Sequence, residues 1–355
     1  MPVFGHDALH ELTRAVCAAG GSAPREGELV ADNLVEANLV GHDSHGVGML
    51  PMYVRCLHKQ SLLPNRHAEV VGDRGPILVV EGHRGYGQVI GFETMKLGMA
   101  RAAEQGVALV AIRNSFHLCR IGHWAEQCAA EGFASIHFVN GVDHAPLQAP
   151  YGGRDARFST NPFCAAVPGE DGAPVVLDMA TSKIAFGKAR VAANKGVPVP
   201  DESLLHPEGH VTRDGAVMFQ DPRGILIAVG EHKGSGLAIM CELLAGALTG
   251  GVTNQPEHPQ AGGTINNMLS VIIAPDALGQ RDAVRREIGA AVAWIKSSRP
   301  RAGFDEVLVP GEPERRQRAA RLAHGIEIDP QSWREIRAAA HTAGVADGEI
   351  DRLVG

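Results

Sequence analysis

The order of its apolar segments constrains this chain most. Ile77 to Val80 (ILVV) and Val107 to Ile112 (VALVAI) read as strands, with an amphipathic helical stretch, 88–105, between them. A helix at 122–131 leads into a strand at 133–139. Two strand-like runs, 163–167 and 174–178, then follow each other with no helix between them. Strand–helix–strand and strand–strand order are therefore mixed, so the sheet need not be parallel. The spacing further predicts a helix from Ser182 to Ala193, a strand at 225–229, a helix at 234–248, a strand at 268–274 and a helix at 282–297. Both ends read as helical, 6–19 and 25–41 at one and 312–324, 330–343 and 347–353 at the other. An interval rich in glycine and proline, 195–224, has the weakest periodicity. With 355 residues, 45% of them hydrophobic, a large core and two domains are expected.

Several function classes recede at once. A net charge of −7 argues against a nucleic-acid binder. The first residues lack the charged start and long apolar stretch of a secretory leader. The greasiest segment, Gly236 to Leu248, is too short to span a bilayer and carries Glu242. Six cysteines with no C-x-x-C pair suit a reducing compartment, so a cytoplasmic protein is expected. The nearest approach to G-x-G-x-x-G is Gly85-Tyr86-Gly87, where the third glycine position holds Ile90 and Gly91 falls one place late. A P-loop, a G-x-S-x-G elbow and H-E-x-x-H are all missing.

Polar residues gather in four places. HDSHG (42–46) follows the second helix, NSFHLCRIGHW (114–124) follows VALVAI, RFSTNP (157–162) leads toward LDMATSK (177–183), and GEHKGSGL (230–237) opens a helix. Each has a plain structural reading. His42 suits a helix C-terminus, Thr181 and Ser182 suit helix caps, Asp178 a turn, and Gly234 and Gly236 close packing. The arginines 315, 316, 318 and 321 read as a solvated helix face. Four such clusters at strand ends and helix starts are what a ligand site requires.

Two chemistries use these residues. His42, His45, His117 and His123 would be the ligands of a metal-dependent hydrolase or lyase, although their spacing matches no usual zinc pattern. Alternatively, a histidine passes a proton near neutral pH while Arg120 grips a carboxylate, as reduction of a 2-oxo acid requires. A binding protein without catalysis is the third reading.

The stretches GHDSHGVGMLPMYV, NSFHLCRIGHWAEQCAAEGF, RFSTNPFCAAVP, VVLDMATSKIAFGK and EHKGSGLAIMCELLAGALTGG, in this order, resemble the type-2 malate/L-lactate dehydrogenase family across nearly the whole chain. The resemblance implies an α/β protein with a non-Rossmann NAD(P)-binding domain built on a largely antiparallel sheet. A discontinuous helical domain from both termini would accompany it. The divisions would be 1–72, 73–300 and 301–355, the last packing on the first. It implies NAD or NADP as cofactor, a small 2-oxo or 2-hydroxy acid as partner, no metal, and a homodimer with the active site between domains. His117 would be the acid/base and His45 would lie beside nicotinamide and substrate. Substrate contacts would fall at Arg120, Met49 and Tyr53. Cofactor contacts would come from His45, Cys119, Arg120, Ile121, Val175, Val176, Leu177, Asp178, Met179, His232, Lys233, Asn267, Pro310, Gly311 and Glu312.

Two departures stand out. Met49 occupies the position where many members carry a carboxylate-binding arginine, which points to Arg120 as substitute or to a bulkier, phenylpyruvate-like substrate. The 195–224 interval lacks the family's usual tryptophan-bearing segment. A cyclic imine acid reductase or a ureidoglycolate dehydrogenase is the alternative within the family.

Overall fold

The computed structural model describes residues 1–170, 172–258 and 260–355. A seven-stranded sheet runs in the spatial order Glu69–Arg74, Ile77–Glu81, Val107–Phe116, Ile265–Ile273, Ala134–Val142, Phe163–Val167, Val175–Met179. Neighbours pair antiparallel except Ile77–Glu81 with Val107–Phe116, which are parallel and joined through the helix Gly87–Gln105. The fold is thus mixed α/β on a mostly antiparallel sheet. Val107–Phe116 and Ala134–Val142 run longer than their apolar cores suggest, because pairing with Ile265–Ile273 carries both strands past the apolar stretch into polar residues.

One face of the sheet is sealed by Gly87–Gln105 and Gly122–Ala130, which bury Ile90, Met95 and Trp124 against Val110, Ile112 and Ile272. The near-miss glycines belong to this packing. A Cβ on Gly87 would lie 2.2 Å from the His117 carbonyl oxygen, and one on Gly91 would lie 2.6 Å from the Trp124 ring. They let a helix press on the sheet, and Gly87 in particular lets it press on the strand end that carries His117. The other face carries His232–Cys241, which continues as a π-helical stretch, Glu242–Ala247.

The two ends of the chain share a core. Leu9 and Leu12 of His6–Ala19, Val30 and Leu34 of Pro24–Leu39, Ile336 and Ala340 of Pro330–Ala343, and Ile350 of Asp347–Val354 are buried together. Val3–Phe4 pairs antiparallel with Ile326–Glu327, and Phe4 lies 4.3 Å from Trp333 between ring centroids. The helix Leu50–His58 was not evident from periodicity, because Pro51 opens it and it is only nine residues long. The weakly periodic interval folds into a three-stranded sheet of two-residue strands over a small core that includes Leu204, Val217 and Leu226. No helix among the described residues is long and apolar enough to cross a membrane.

Two local expectations fail. Thr181 and Ser182 cap no helix. Their hydroxyls go to the Thr160 and Ile184 carbonyls, and the helix starts later, at Phe186. The arginine row on Glu312–His324 is not merely solvated: Arg315 donates to the Pro174 carbonyl, Arg316 pairs with Glu306, Arg318 with Glu36 and Arg321 with Asp43.

The sheet also holds a buried histidine outside the polar clusters. His137 is bracketed by the Ser270 hydroxyl at 2.8 Å and the Ser135 hydroxyl at 2.9 Å, and burial pushes its imidazole down to about 3. The unfolded chain takes up that proton below about pH 6.5, whereas the fold does not until about pH 3. Stability therefore falls as pH drops through that window. His137→Leu is expected to be less stable at neutral pH by roughly 1–3 kcal/mol, since it strips two buried hydroxyls of their partner. Its melting temperature should then decline less than the wild type's between pH 7 and pH 4, as calorimetry at stepped pH would show.

Candidate active site

The strand Val107–Phe116 delivers His117 at its end, and the 3-10 turn Asp43–His45 delivers His45. The two rings lie nearly parallel, with centroids 5.7 Å apart and planes 21° apart. Both side chains are half-buried. Burial, then the neighbouring His144, pushes the His117 imidazole down to about 4. Burial, then the charges of His117, His42, Arg120 and Lys188, brings His45 down to about 3. Both are neutral at pH 7.

Hydrogen bonds fix which nitrogen of His117 is free. Gln88 donates to the Tyr53 hydroxyl oxygen at 2.8 Å, and that oxygen lies 3.0 Å from His117 Nδ1. Burial raises the Tyr53 phenol well above its usual range, so it keeps its proton. A hydroxyl has one proton to give. Its oxygen also has two lone pairs, so beside Gln88 it pairs with Nδ1 as donor or as acceptor; Nδ1 is occupied either way, and Nε2 is the ring nitrogen left open. Tyr53 itself is buried, and its hydroxyl meets Gln88 and His117.

The HDSH turn splits into structural and exposed members. Asp43 is gripped by Arg321, whose Nη2 donates at 2.9 Å, and by Asn38 Nδ2 at 2.7 Å. Asn38 Oδ1 accepts from the Val47 amide at 2.8 Å. A Cβ on Gly46 would lie 2.1 Å from that same oxygen, so only glycine fits. His42 faces Glu314 at 3.4 Å. Ser44 lies 3.0 Å from His45 Nδ1, and the Cys119 thiol donates to the His45 carbonyl at 2.9 Å. Cys119 sits at φ +63° and burial pushes its thiol up to about 12, which rules it out as a nucleophile near neutral pH.

Arg120 does not serve as a free clamp for a carboxylate. Its side chain is 2% exposed, pairs with Glu126, and lies 3.8 Å from Asp178. Asp178 also accepts from the Gly122 amide at 2.8 Å. Burial raises the Glu126 carboxyl despite that pairing. A guanidinium committed to two carboxylates is not available to a third. Met49 packs against the core of the terminal helices. Sequence reasoning missed Lys188, an exposed residue of Phe186–Lys195, the helix packed on the HDSH turn, whose charge reaches His45. The lysine spacing alone carried no such signal; only the packing of that helix brings it here.

The expected cofactor residues form a strip and two outliers. Cys119 reaches the His45 carbonyl, and Arg120 and the Gly122 amide reach Asp178. Val175–Met179 is an edge strand, with Leu177 exposed, and the Val176 amide donates to the Pro310 carbonyl at 3.2 Å. Gly311 there sits at φ +92°, and Glu312 pairs with Lys296. One continuous run of residues therefore leads from the histidine pair to Pro310, Gly311 and Glu312. Asn267 stands apart, because its amide is spent inside the sheet on the Asn114 amide and on Asn140, both at 2.9 Å. His232 and Lys233 are exposed, with His232 5.8 Å from Tyr151 between ring centroids. His42, His45, His117 and His123 do not converge as ligands. Among the described residues, the group of histidines and carboxylates close enough to share an ion is His206, Glu208 and His210.

A family profile described as malate/L-lactate dehydrogenase matches residues 4–337. Hydroxycarboxylate dehydrogenase B of Escherichia coli (strain K12) is 46% identical over 97% of this chain and 95% of its own length. L-lactate dehydrogenase of Cupriavidus necator is 39% identical over 96% of this chain and 97% of its own length. A solved structure of an E. coli protein assigned as a malate/lactate dehydrogenase superposes with a TM-score of 0.94 at 45% identity, covering 99% of this chain and 98% of that one. The chain belongs to the malate/L-lactate dehydrogenase family and is an oxidoreductase acting on CH–OH groups.

Tyr53→Phe removes the hydroxyl that reaches His117 Nδ1. The variant is expected to fold with a loss of about 1 kcal/mol. Its His117 ring nitrogens, followed by nitrogen NMR of labelled protein, should change their tautomer balance, because Nδ1 loses its partner.

Proposed function

We propose that this chain interconverts a 2-oxo acid and its 2-hydroxy acid with NAD or NADP, and that His117 exchanges the proton. The arrangement of Gln88, Tyr53 and His117 carries this reading: it leaves Nε2 as the one imidazole nitrogen able to meet a substrate oxygen. The bound nicotinamide supplies or accepts the hydride. In reduction, an imidazolium Nε2–H gives its proton to the keto oxygen. In oxidation, the neutral imidazole holds its hydrogen on Nδ1, against the Tyr53 oxygen, and Nε2 takes the hydroxyl proton. His45, stacked 5.7 Å away, borders the same space and orients what enters it. Lys188 meets the carboxylate, and that negative charge in turn favours the imidazolium form of His117.

The cofactor follows the strip from His45 through Cys119–Ile121 and Val175–Met179 to Pro310–Glu312. The sheet then acts as a non-Rossmann dinucleotide platform, residues 73–300, flanked by a helical unit made of 1–72 and 301–355. Ile239, Met240, Leu243 and Leu248, exposed on the helix that His232 opens, support a homodimer, and they place His232 and Lys233 at its surface. Six unpaired cysteines support a cytoplasmic setting. Met49 in place of an arginine supports a bulky or aromatic 2-oxo acid.

The test follows NADH or NADPH absorbance with small, bulky and aromatic 2-oxo acids, a cyclic imine acid and ureidoglycolate. His117→Gln is expected to cut turnover by roughly 10²–10⁴ while cofactor still binds; full activity in that variant defeats the assignment. The pH profile has a definite sign. With the free-enzyme imidazole at about 4, kcat/KM for oxidation stays level near neutrality and collapses as pH falls through about 4. kcat/KM for reduction declines with rising pH above that point. Lys188→Met is expected to raise KM for the 2-oxo acid about 10- to 100-fold, the worth of a hydrogen bond to a charged group, with kcat changed much less.

A further inference from the structure

The interval with the weakest periodicity contains the hairpin Leu204–Leu205/Val211–Thr212, whose turn reads His206-Pro207-Glu208-Gly209-His210. Pro207 suits the first corner of a type I turn, and Gly209 takes the left-handed position at φ +95°. The His206 amide donates to the His210 carbonyl at 2.8 Å, and the Gly209 amide to the His206 carbonyl at 2.8 Å. His206 and His210 are therefore directly opposed residues closing a three-residue loop. Opposed positions on paired strands project to the same face. Their rings accordingly stack with centroids 4.6 Å apart and planes 16° apart. Glu208 curls over the same face, with Oε2 3.7 Å from His206 Nδ1 and 3.8 Å from His210 Nδ1.

We propose that this turn is a binding site for a first-row divalent transition ion such as Zn²⁺, separate from the oxidoreductase chemistry. All three residues offer ligand atoms within 4.8 Å of one another. A tetrahedral ion ~2.0–2.1 Å from its ligands sets ligand–ligand edges of roughly 3.4 Å, so the two measured edges need to close by only a few tenths of an ångström. Two imidazoles and one carboxylate suit Zn²⁺, Ni²⁺ or Cu²⁺ rather than Mg²⁺ or Ca²⁺. The ion replaces one weak interaction, the 3.3 Å bond from the Glu208 amide to His206 Nδ1. The ligand side chains are 31%, 77% and 60% exposed, so the ion has an open path and water completes its shell. The hairpin's backbone bonds fix the ligands before the ion arrives, which lowers the ordering cost of binding.

Full-length protein stripped with a chelator is titrated with Zn²⁺ by calorimetry, beside His206→Gln, His210→Gln and the double variant. One equivalent is expected to bind the wild type, at least tenfold more weakly to each single variant, and not at all at this position in the double variant. Cu²⁺ paramagnetic resonance is expected to show coupling to two imidazole nitrogens, reduced to one in each single variant. Matching melting temperatures without metal establish that the variants fold. Absence of Zn²⁺ uptake, or equal uptake by wild type and double variant, overturns the proposal.

Discussion

Taking an imidazole out of bulk water favours its neutral form, and a neutral imidazole has one nitrogen that gives and one that accepts. That constraint organises the centre of this protein. His117 satisfies it with Tyr53 at Nδ1, and Gln88 satisfies Tyr53 in turn. Nδ1 is thereby occupied, and Nε2 is the nitrogen left open. None of these three residues lies on the same element: Tyr53 is on Leu50–His58, Gln88 on Gly87–Gln105, and His117 follows Val107–Phe116. The sheet, the helix that covers it and the terminal helical core must all be in place before the orientation of one ring is determined.

The same dependence reaches the far end of the chain. Arg321 lies 278 residues beyond Asp43, yet its guanidinium meets that carboxylate bidentately and so fixes the turn that carries His45. Asp43 is partly exposed, so the pair's net contribution to stability is small. Its geometric effect is larger, because a planar fork on a carboxylate sets direction as well as distance. Asn38 and Gly46 complete the clamp, the former by bonding both Asp43 and Val47, the latter by leaving room for Asn38. The terminal helices therefore belong to the site's construction.

Much of this was legible before any coordinates. Strand and helix order predicted a sheet that was not purely parallel, and the polar stretches around His45 and His117 meet. The failures share a cause. Thr181 and Ser182 looked like helix caps because capping is local chemistry, but tertiary contacts offered their hydroxyls nearer carbonyls. The arginines of Glu312–His324 looked solvated because their acidic partners, Glu36, Asp43 and Glu306, lie on other elements. Asn267 looked available because a sequence does not show that a side-chain amide is consumed between two strands. Gly87 and Gly91 seat a helix against His117 and Trp124, a task that appears only when the backbones meet.

The cation question follows the same logic. An arginine at position 49 would have offered a fork directly beside the histidines, but Met49 contributes packing instead. Arg120 cannot move into the role cheaply. It is buried with Glu126 and Asp178, and withdrawing it would leave two carboxylates facing each other in a desolvated space, a loss on the scale of several kcal/mol. Lys188 stands exposed on the helix packed against the turn that carries His45. A lysine presents a point charge on a flexible stem, so it attracts a carboxylate without fixing its plane. In the proposed reaction, selectivity among 2-oxo acids would then rest on the shape and apolar character of the walls.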